Sequence, residues 1–192
     1  MYLLASFSLE GRPGKSTIIM VLVWLFTSLG ITPPATAQQV SASQVKAAFI
    51  YNFAKFVEWP AGTFADNRAA ITLCILKGEP LAEAVEAIQE KEVQGRKIVV
   101  KKGLDIEELK KCQIFFASAS DKPILAKIIG GLRGYPVLTI TDEVDDFARL
   151  GGMINLTVID DKVRFSIDVN NAEKCGLKIS SQLLKLSIQV RN

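Results

Sequence analysis

Residues 71–141 read ITLCILKGEPLAEAVEAIQEKEVQGRKIVVKKGLDIEELKKCQIFFASASDKPILAKIIGGLRGYPVLTIT, and this stretch decides the fold. Ile71–Leu76 (ITLCIL), Lys97–Lys101 (KIVVK), Cys112–Ser118 (CQIFFAS) and Pro136–Thr141 (PVLTIT) are short apolar runs. Between them lie segments with helical signals. Leu81, Ala84, Val85 and Ile88 mark the first, Asp105 and Glu108 cap a second that ends near Lys111, and Pro123 opens a third carrying Ile124, Leu125, Ile128 and Leu132. Strands alternating with helices imply βαβ crossovers and a mainly parallel sheet. The strands are unbroken rather than alternating, which is the pattern of a sheet covered by helices on both faces. The expectation is a three-layer, Rossmann-like α/β domain. Gly130, Gly131 and Gly134 follow a helix rather than a strand, so they mark a helix end and not a dinucleotide fingerprint.

On the N-terminal side, Ser41 and Gln44 form a capping box that opens a helix of about 16 residues. Val45, Ala48, Phe49, Phe53 and Phe56 make its apolar stripe, and Pro60 ends it at Trp59 by disfavouring helical geometry there. Tyr51, Asn52, Lys55 and Glu58 stud this greasy helix. On the C-terminal side, Ile154–Ile159 (INLTVI) and Val163–Val169 (VRFSIDV) flank Asp160-Asp161-Lys162. The second run places Val163, Phe165, Ile167 and Val169 on one face, the pattern of a hairpin with one buried side. Asn170 or Asn171 caps a last helix, bent at Gly176, with Ile179, Leu183 and Leu186 facing the core. No repeat or low-complexity linker interrupts the chain, so residues 38–192 form one domain.

The first 37 residues do not belong to that domain. Arg12 and Lys15 precede the apolar run Ile18–Ile31, which is followed by Ala35-Thr36-Ala37 before Gln38. Positive, apolar and small-x-small segments in that order are a secretory signal peptide. The run of 14 apolar-rich residues is shorter than the roughly 20 that span a bilayer. Gly11–Thr17 (GRPGKST) imitates a phosphate-binding loop but has Leu9 where the motif needs its first glycine, and no strand precedes it. Without the signal the chain carries 21 basic and 19 acidic residues. It is nearly neutral, so neither nucleic acid nor an anionic lipid surface is an expected partner.

The chain contains no histidine. That removes Ser-His-Asp and Cys-His nucleophile systems, which need an imidazole to take a proton near neutral pH. Zinc motifs are missing too, and there is no G-x-S-x-G. No cofactor or metal is implied. The pairs Asp145-Asp146 and Asp160-Asp161 read as turns rather than as the carboxylates of a glycosidase, and a hydrolase built on Asp142 or Asp146 is the least favoured reading.

Six ordered segments carry a resemblance. Gln44–Pro60 (QVKAAFIYNFAKFVEWP), Leu73–Leu76, Cys112–Ser118, Gly151–Asn155 (GGMIN), Val163–Phe165 and Gly176–Leu184 (GLKISSQLL) together resemble the YfiR family of periplasmic proteins (DUF4154), from about Ser43 to Leu186. The resemblance implies a signalling role: repression of an inner-membrane diguanylate cyclase from the periplasmic side. Relief comes through an outer-membrane lipoprotein, with consequences for cyclic-di-GMP and biofilm formation. It also implies a disulfide-containing homodimer. The family's cysteine pattern matches Cys74 and Cys112. Some members carry a second pair around positions 149–155, which this chain lacks, so redox switching tied to that pair is not implied.

Geometry supports the same pairing. Cys74 lies in the first strand and Cys112 opens the third, and in the usual doubly wound order these are neighbours about 4.8 Å apart. That fits the roughly 4.4–6.8 Å between Cα atoms that a disulfide requires. Cys175 is then a buried free thiol. The expected partner surface combines Tyr51, Lys55, Glu58 and Trp59 of the first helix with Gly151, Gly152, Met153 and Asn155. The alternative function, a small-molecule binding module, would use the carboxyl ends of the strands, where Lys77, Ser118, Ser120 and Thr141 stand.

Overall fold

A computed structural model of the chain describes residues 41–191, apart from Leu104, Ser120 and Asp121; the expected signal segment lies outside the described residues. The chain enters through α1 (Ala42–Lys55) and β1 (Val57–Glu58), then β2 (Ile71–Ile75), α2 (Ala82–Glu86), β3 (Glu92–Val93) and β4 (Arg96–Lys102). It continues through α3 (Ile106–Leu109), β5 (Ile114–Ser118), α4 (Lys122–Gly131), β6 (Leu138–Asp142) and α5 (Phe147–Leu150). It closes with β7 (Ile154–Ile159), β8 (Lys162–Asp168), α6 (Val169–Lys174), β9 (Lys178–Ile179), α7 (Ser181–Leu184) and β10 (Gln189–Arg191).

The main sheet has eight strands in the order β10-β8-β7-β6-β5-β2-β4-β3. Its five central strands, β4, β2, β5, β6 and β7, are mutually parallel. The first strand of that set lies between the second and the third, which is a doubly wound order whose switch point falls between β2 and β5. The three-layer α/β expectation therefore holds. Alternation along each strand feeds two cores. Leu73, Ile75, Ile114, Phe116, Ile140 and Ile154 pack under Ile50, Phe53 and Ala54 of α1. Cys74, Phe115 and Ala117 face the other way, against Leu109, Leu125, Ile129 and Leu132.

Four expectations need correction. The first helix does not reach Trp59: it stops at Lys55, and Val57–Glu58 pairs antiparallel with Lys178–Ile179 of β9. Its buried face is Lys46, Ala47, Ile50, Phe53 and Ala54. Ala48 is exposed and Val45, Phe49 and Phe56 are half-buried, so the helix is rotated relative to the stripe of large apolar residues. The last helix is two short helices separated by β9, and its cap is the Asp168 carboxylate, which accepts from Asn171 N at 2.7 Å. Leu183 is buried, but Leu186 is exposed. Both faces of the end of β8 are covered, so Ser166 and Asp168 are buried beside Phe165 and Ile167. The hairpin turn stands as read, and Asp160 and Asp161 both take positive φ, +49° and +57°, as a two-residue turn matched to strand twist requires.

Cys74 and Cys112 form a disulfide with Cα atoms 6.2 Å apart, and Cys175 is free and buried. Cys74 stands opposite Phe115, so the bridge runs from the middle of β2 to the segment entering β5 just after α3. The bridged cysteines are 38 residues apart, and closing a loop of that length stabilises by about 3–4 kcal/mol in the chain-entropy picture. Cys74→Ser and Cys112→Ser should lower the urea midpoint by similar amounts, the double variant by no more than either. Cys175→Ser should do less. Non-reducing peptide mapping should recover the Cys74–Cys112 pair alone.

Candidate functional site

Helix ends leave four carbonyls without intrahelical partners. At the end of α1, Phe53 O accepts from Phe56 N, while Ala54 O and Lys55 O are met by one side chain from a turn far along the chain, which also reaches Val57 O in β1. Gln94 Nε2 donates to Ala54 O at 3.1 Å and Val57 O at 3.0 Å, and more weakly to Lys55 O at 3.4 Å. Gln94 and Gly95 connect β3 to β4 with φ of +53° and +74°, and Glu92–Val93 pairs antiparallel with Arg96–Lys97. The same hairpin takes the Tyr51 hydroxyl, which donates to Glu92 O at 3.0 Å. Above the Tyr51 ring lies Lys55 Nζ, 4.2 Å from the centroid, with Lys91 Nζ at 5.6 Å. Lys55 also sits in the last helical turn, where a cation offsets the helix dipole.

A second aromatic group adjoins this end of the helix in sequence. Trp59 Nε1 donates to Gln113 O at 3.2 Å, and its ring meets Phe64 edge-on at 5.9 Å. Arg96 stacks over Phe64 at 3.9 Å and donates to Asp66 O and Ala69 O. Tyr51 and Trp59 are half-buried, each fixed by a hydrogen bond to a backbone carbonyl, while Lys55 and Glu58 are exposed. The result is a rigid aromatic base carrying two opposite charges.

The Gly151–Asn155 turn is not part of that surface. Gly152, Met153 and Asn155 are buried. Gly151 caps α5 at φ +104°, and a side chain there would meet Arg133. Asn155 Oδ1 accepts from Thr141 Oγ1 at 2.8 Å and from Val144 N at 3.2 Å. These residues hold the crossover between β6 and β7 from within, which corrects the expectation that they present a contact face.

At the carboxyl ends of the strands, several described groups are engaged by the chain itself. Lys77 is exposed, Thr141 is wholly buried, and Ser120 lies outside the described residues. Glu79 is buried, and its carboxylate accepts from Ser118 N at 3.0 Å and from Leu81 N at 3.4 Å. The backbone N–H that would meet a ligand at the switch point is thus occupied by the chain itself. Beside it Lys46 Nζ lies 2.7 Å from Asp142 Oδ1 and 2.8 Å from Oδ2, with both side chains buried. Burial pushes the Asp142 carboxyl up, and the Lys46 hydrogen bond and charge oppose the shift. Asp142 is therefore spent on a structural pair, and Asp146 is exposed and paired with Arg149.

A cavity of about 320 Å³ opens at the opposite, amino end of the parallel strands, lined by Arg133, Arg149, Lys174, Asn171 and Cys175 among others. Arg149 and Lys174 stand in the last turns of α5 and α6, and Arg133 follows α4 and donates to Arg149 O and Leu150 O. Cations at helix C-termini offset the helix dipoles, and that accounts for the charge of this lining. Burial pushes the Cys175 thiol up, against a Gly134 N–H and Lys174.

Of the residues expected at a partner surface, Tyr51 and Lys55 meet in the last turns of α1, while Glu58 stands in β1 and Trp59 follows it, held by Gln113 O and Phe64. Sequence reasoning missed Glu92, Gln94 and Arg96, although Gln94-Gly95 ahead of the KIVVK strand was a turn signal.

With this geometry in view, the chain belongs to the YfiR/HmsC-like family (DUF4154), whose model it matches over residues 43–188. Among solved structures, the chain is similar to the crystal structure of a conserved domain protein from Vibrio cholerae O1 biovar El Tor strain N16961. The TM-score is 0.52 at 12% identity, covering 79% of this chain and 60% of that one. At that identity the likeness is one of fold, and this chain spans 60% of the length of the solved one. No curated protein matches.

Gln94→Ala leaves three carbonyls without their donor, which should cost about 1–3 kcal/mol in chemical denaturation. Hydrogen exchange should speed up at the last turn of α1 and at Val57, while the amides of β5 and β6 keep their protection.

Proposed function

We propose that the chain is exported to the periplasm, where it binds and represses an inner-membrane diguanylate cyclase or sensor protein through the exposed end of α1. The observation that carries this reading is the Tyr51–Lys55–Glu58–Trp59 platform. Its aromatic members are already ordered by Glu92 O and Gln113 O, so a partner meets little further loss of side-chain freedom. Interface energy concentrates on such fixed aromatic and charged groups, surrounded by a polar rim. The Cys74–Cys112 disulfide suits an oxidising compartment, and no described helix is long and apolar enough to cross a membrane. Release by an outer-membrane lipoprotein and assembly as a homodimer belong to the same reading. Against the ligand-module alternative stand Glu79 and the Lys46–Asp142 pair, which take up groups at the strand ends where a ligand would bind.

Two measurements test this. Lys55→Glu combined with Glu58→Lys should raise cyclase output in cells that carry the partner, while the circular dichroism of the purified variant stays native. Continued repression by a natively folded variant moves the interface elsewhere. Mass spectrometry of periplasmic material should find Gln38 at the N-terminus; recovery in the cytosol with Met1 intact contradicts export.

A further inference from the structure

We infer that Lys55 and Lys91, which converge on the Tyr51 ring, take an aspartate or glutamate side chain of the partner protein as their shared counter-ion. The inference rests on the α1 platform as the contact surface; it adds a residue to that surface and a chemistry to its partner. Lys55 comes from the last turn of α1, and Lys91 from the chain between α2 and β3. Their Nζ atoms lie 4.2 and 5.6 Å from one ring centroid, and both residues are exposed. The ring and the Lys91 backbone are both fixed. The Tyr51 hydroxyl donates to Glu92 O at 3.0 Å, Lys91 N donates to Ile88 O at 3.3 Å, and Lys91 O accepts from Ile98 N at 2.9 Å.

The other charges around this helix end are answered within the chain. Glu58 stands opposite Lys178 across β1 and β9. Glu92 stands opposite Lys97, which also meets Glu90 at 2.9 Å, and Glu86 pairs with Lys102. Opposite charges facing each other across a ladder stabilise it. Arg96 is spent on Phe64 and on the carbonyls of Asp66 and Ala69. Among the described residues no carboxylate, Glu83 of α2 included, forms an ion pair with Lys55 or Lys91. These two lysines have the ring, which attracts each cation and leaves its charge in place. The dipole of α1 takes up about half a charge at Lys55, and Lys91 lies outside any helix. Two like charges brought to one ring repel each other. A single carboxylate offsets that repulsion and gains two attractions.

This pattern selects the occupant. A carboxylate at the rim of the Tyr51 ring lies within the screening length of both ammonium groups, about 8 Å at physiological salt. Anionic lipid surfaces are met by clusters of roughly four to eight cations. Here Lys91 has Glu90 and Glu92 on either side in the chain, and Glu58 follows Lys55. A charged bilayer would meet those acids together with the lysines, whereas one acidic side chain on a protein reaches the lysines alone. The ordered ring fixes where that side chain lands, at little further cost in freedom.

Zero-length coupling tests this, because a carbodiimide joins an amine to a carboxylate only where the two already touch. The disulfide-intact protein is bound to inner-membrane vesicles from cells that carry the cyclase, coupled and digested. Amide cross-links should join Lys55 or Lys91 to an aspartate or glutamate of the cyclase. Lys91→Glu should weaken binding to the vesicles at least about tenfold, as like charges across an interface do, and Lys91→Arg should retain it. Lys101→Glu makes the same change in net charge on the far face of the sheet, in register with Cys74, and should bind like the unaltered protein. Where Lys91→Glu does not fold, the cross-link map of the unaltered protein decides. The inference is overturned by cross-links to the cyclase through other lysines alone, by none to the cyclase, or by cross-links from Lys55 and Lys91 to a second copy. Full binding by natively folded Lys91→Glu, or equal binding to cyclase-free phosphatidylglycerol vesicles, overturns it too. If Lys55→Glu with Glu58→Lys nonetheless relieves repression, the acidic contact alone is lost. If that variant also leaves repression intact, the cyclase reading falls with it.

Discussion

Lys46 cannot sit inside this protein without Asp142. A buried ammonium costs several kcal/mol unless a counter-charge and hydrogen bonds meet it, and the Asp142 carboxylate at the end of β6 holds both of its oxygens within 2.8 Å. Breaking such a pair from one side costs about 3–5 kcal/mol, whereas replacing both partners with apolar groups is often neutral. Its value here is therefore orientation rather than net stability. Lys46, Ile50, Phe53 and Ala54 lie on one side of the helix by its period, so fixing Lys46 over β6 sends Ile50 and Phe53 into the core. That same rotation turns Tyr51 and Lys55 outward. The parallel sheet needs α1 as cover for one face, and the ion pair fixes which side of α1 serves as that cover.

The other end of the helix is fixed by a different means. Gln94 is neutral, and its amide meets three carbonyls of the chain leaving α1. This turns the chain from helix to the two residues of β1, which β9 then pairs. A charge anchors the start of α1 and an amide anchors its end, on opposite borders of the sheet's first face. The disulfide plays no direct part in this. It lies in the second core with Leu109 and Phe115, joining the strands on either side of the switch point. Among the described residues, the bridge touches the α1 surface only through Gln113, whose carbonyl holds Trp59, and constraint on the unfolded chain is the main effect of the bridge.

The parts of the fold that were legible in the sequence are those with local causes. Unbroken apolar runs, the Ser41–Gln44 box and the Asp160-Asp161 turn each report on a few adjacent residues. The disulfide was legible because the family resemblance matches Cys74 and Cys112 and the usual doubly wound order makes their strands neighbours. The rotation of α1 was not, because the stripe of phenylalanines outweighs a single lysine whose partner lies 96 residues away. Strands β3, β9 and β10 have two or three residues, too few for any periodicity. The Gly151–Asn155 turn was misread for a related reason. Paired glycines mark a surface loop on average, but Gly152 is buried because its would-be Cβ position lies 3.0 Å from Phe147 O. The candidate residues of α1 and its exit could be named from the sequence, while the Glu92–Arg96 hairpin that fixes Tyr51 and the helix exit could not.

A doubly wound sheet offers a crevice at its switch point, and in many proteins that crevice is the function. Here Glu79 takes the Ser118 N–H that an anionic ligand would need, and a carboxylate there also repels a second anion. Lys46 pairs with Asp142 and lies 3.8 Å from Glu143, and the charges of Glu143 and Glu79 push the Asp142 carboxyl further up, so this end of the sheet is acidic and disfavours an anionic guest. Fold alone therefore does not assign the site, as function resides in the groups a fold presents rather than in the fold. What remains open to other molecules includes the cavity beside Arg133 and Cys175 and the charged aromatic end of α1. The second encloses no volume and presents fixed aromatics with exposed charges, and it is this kind of surface that the proposal of a macromolecular partner rests on.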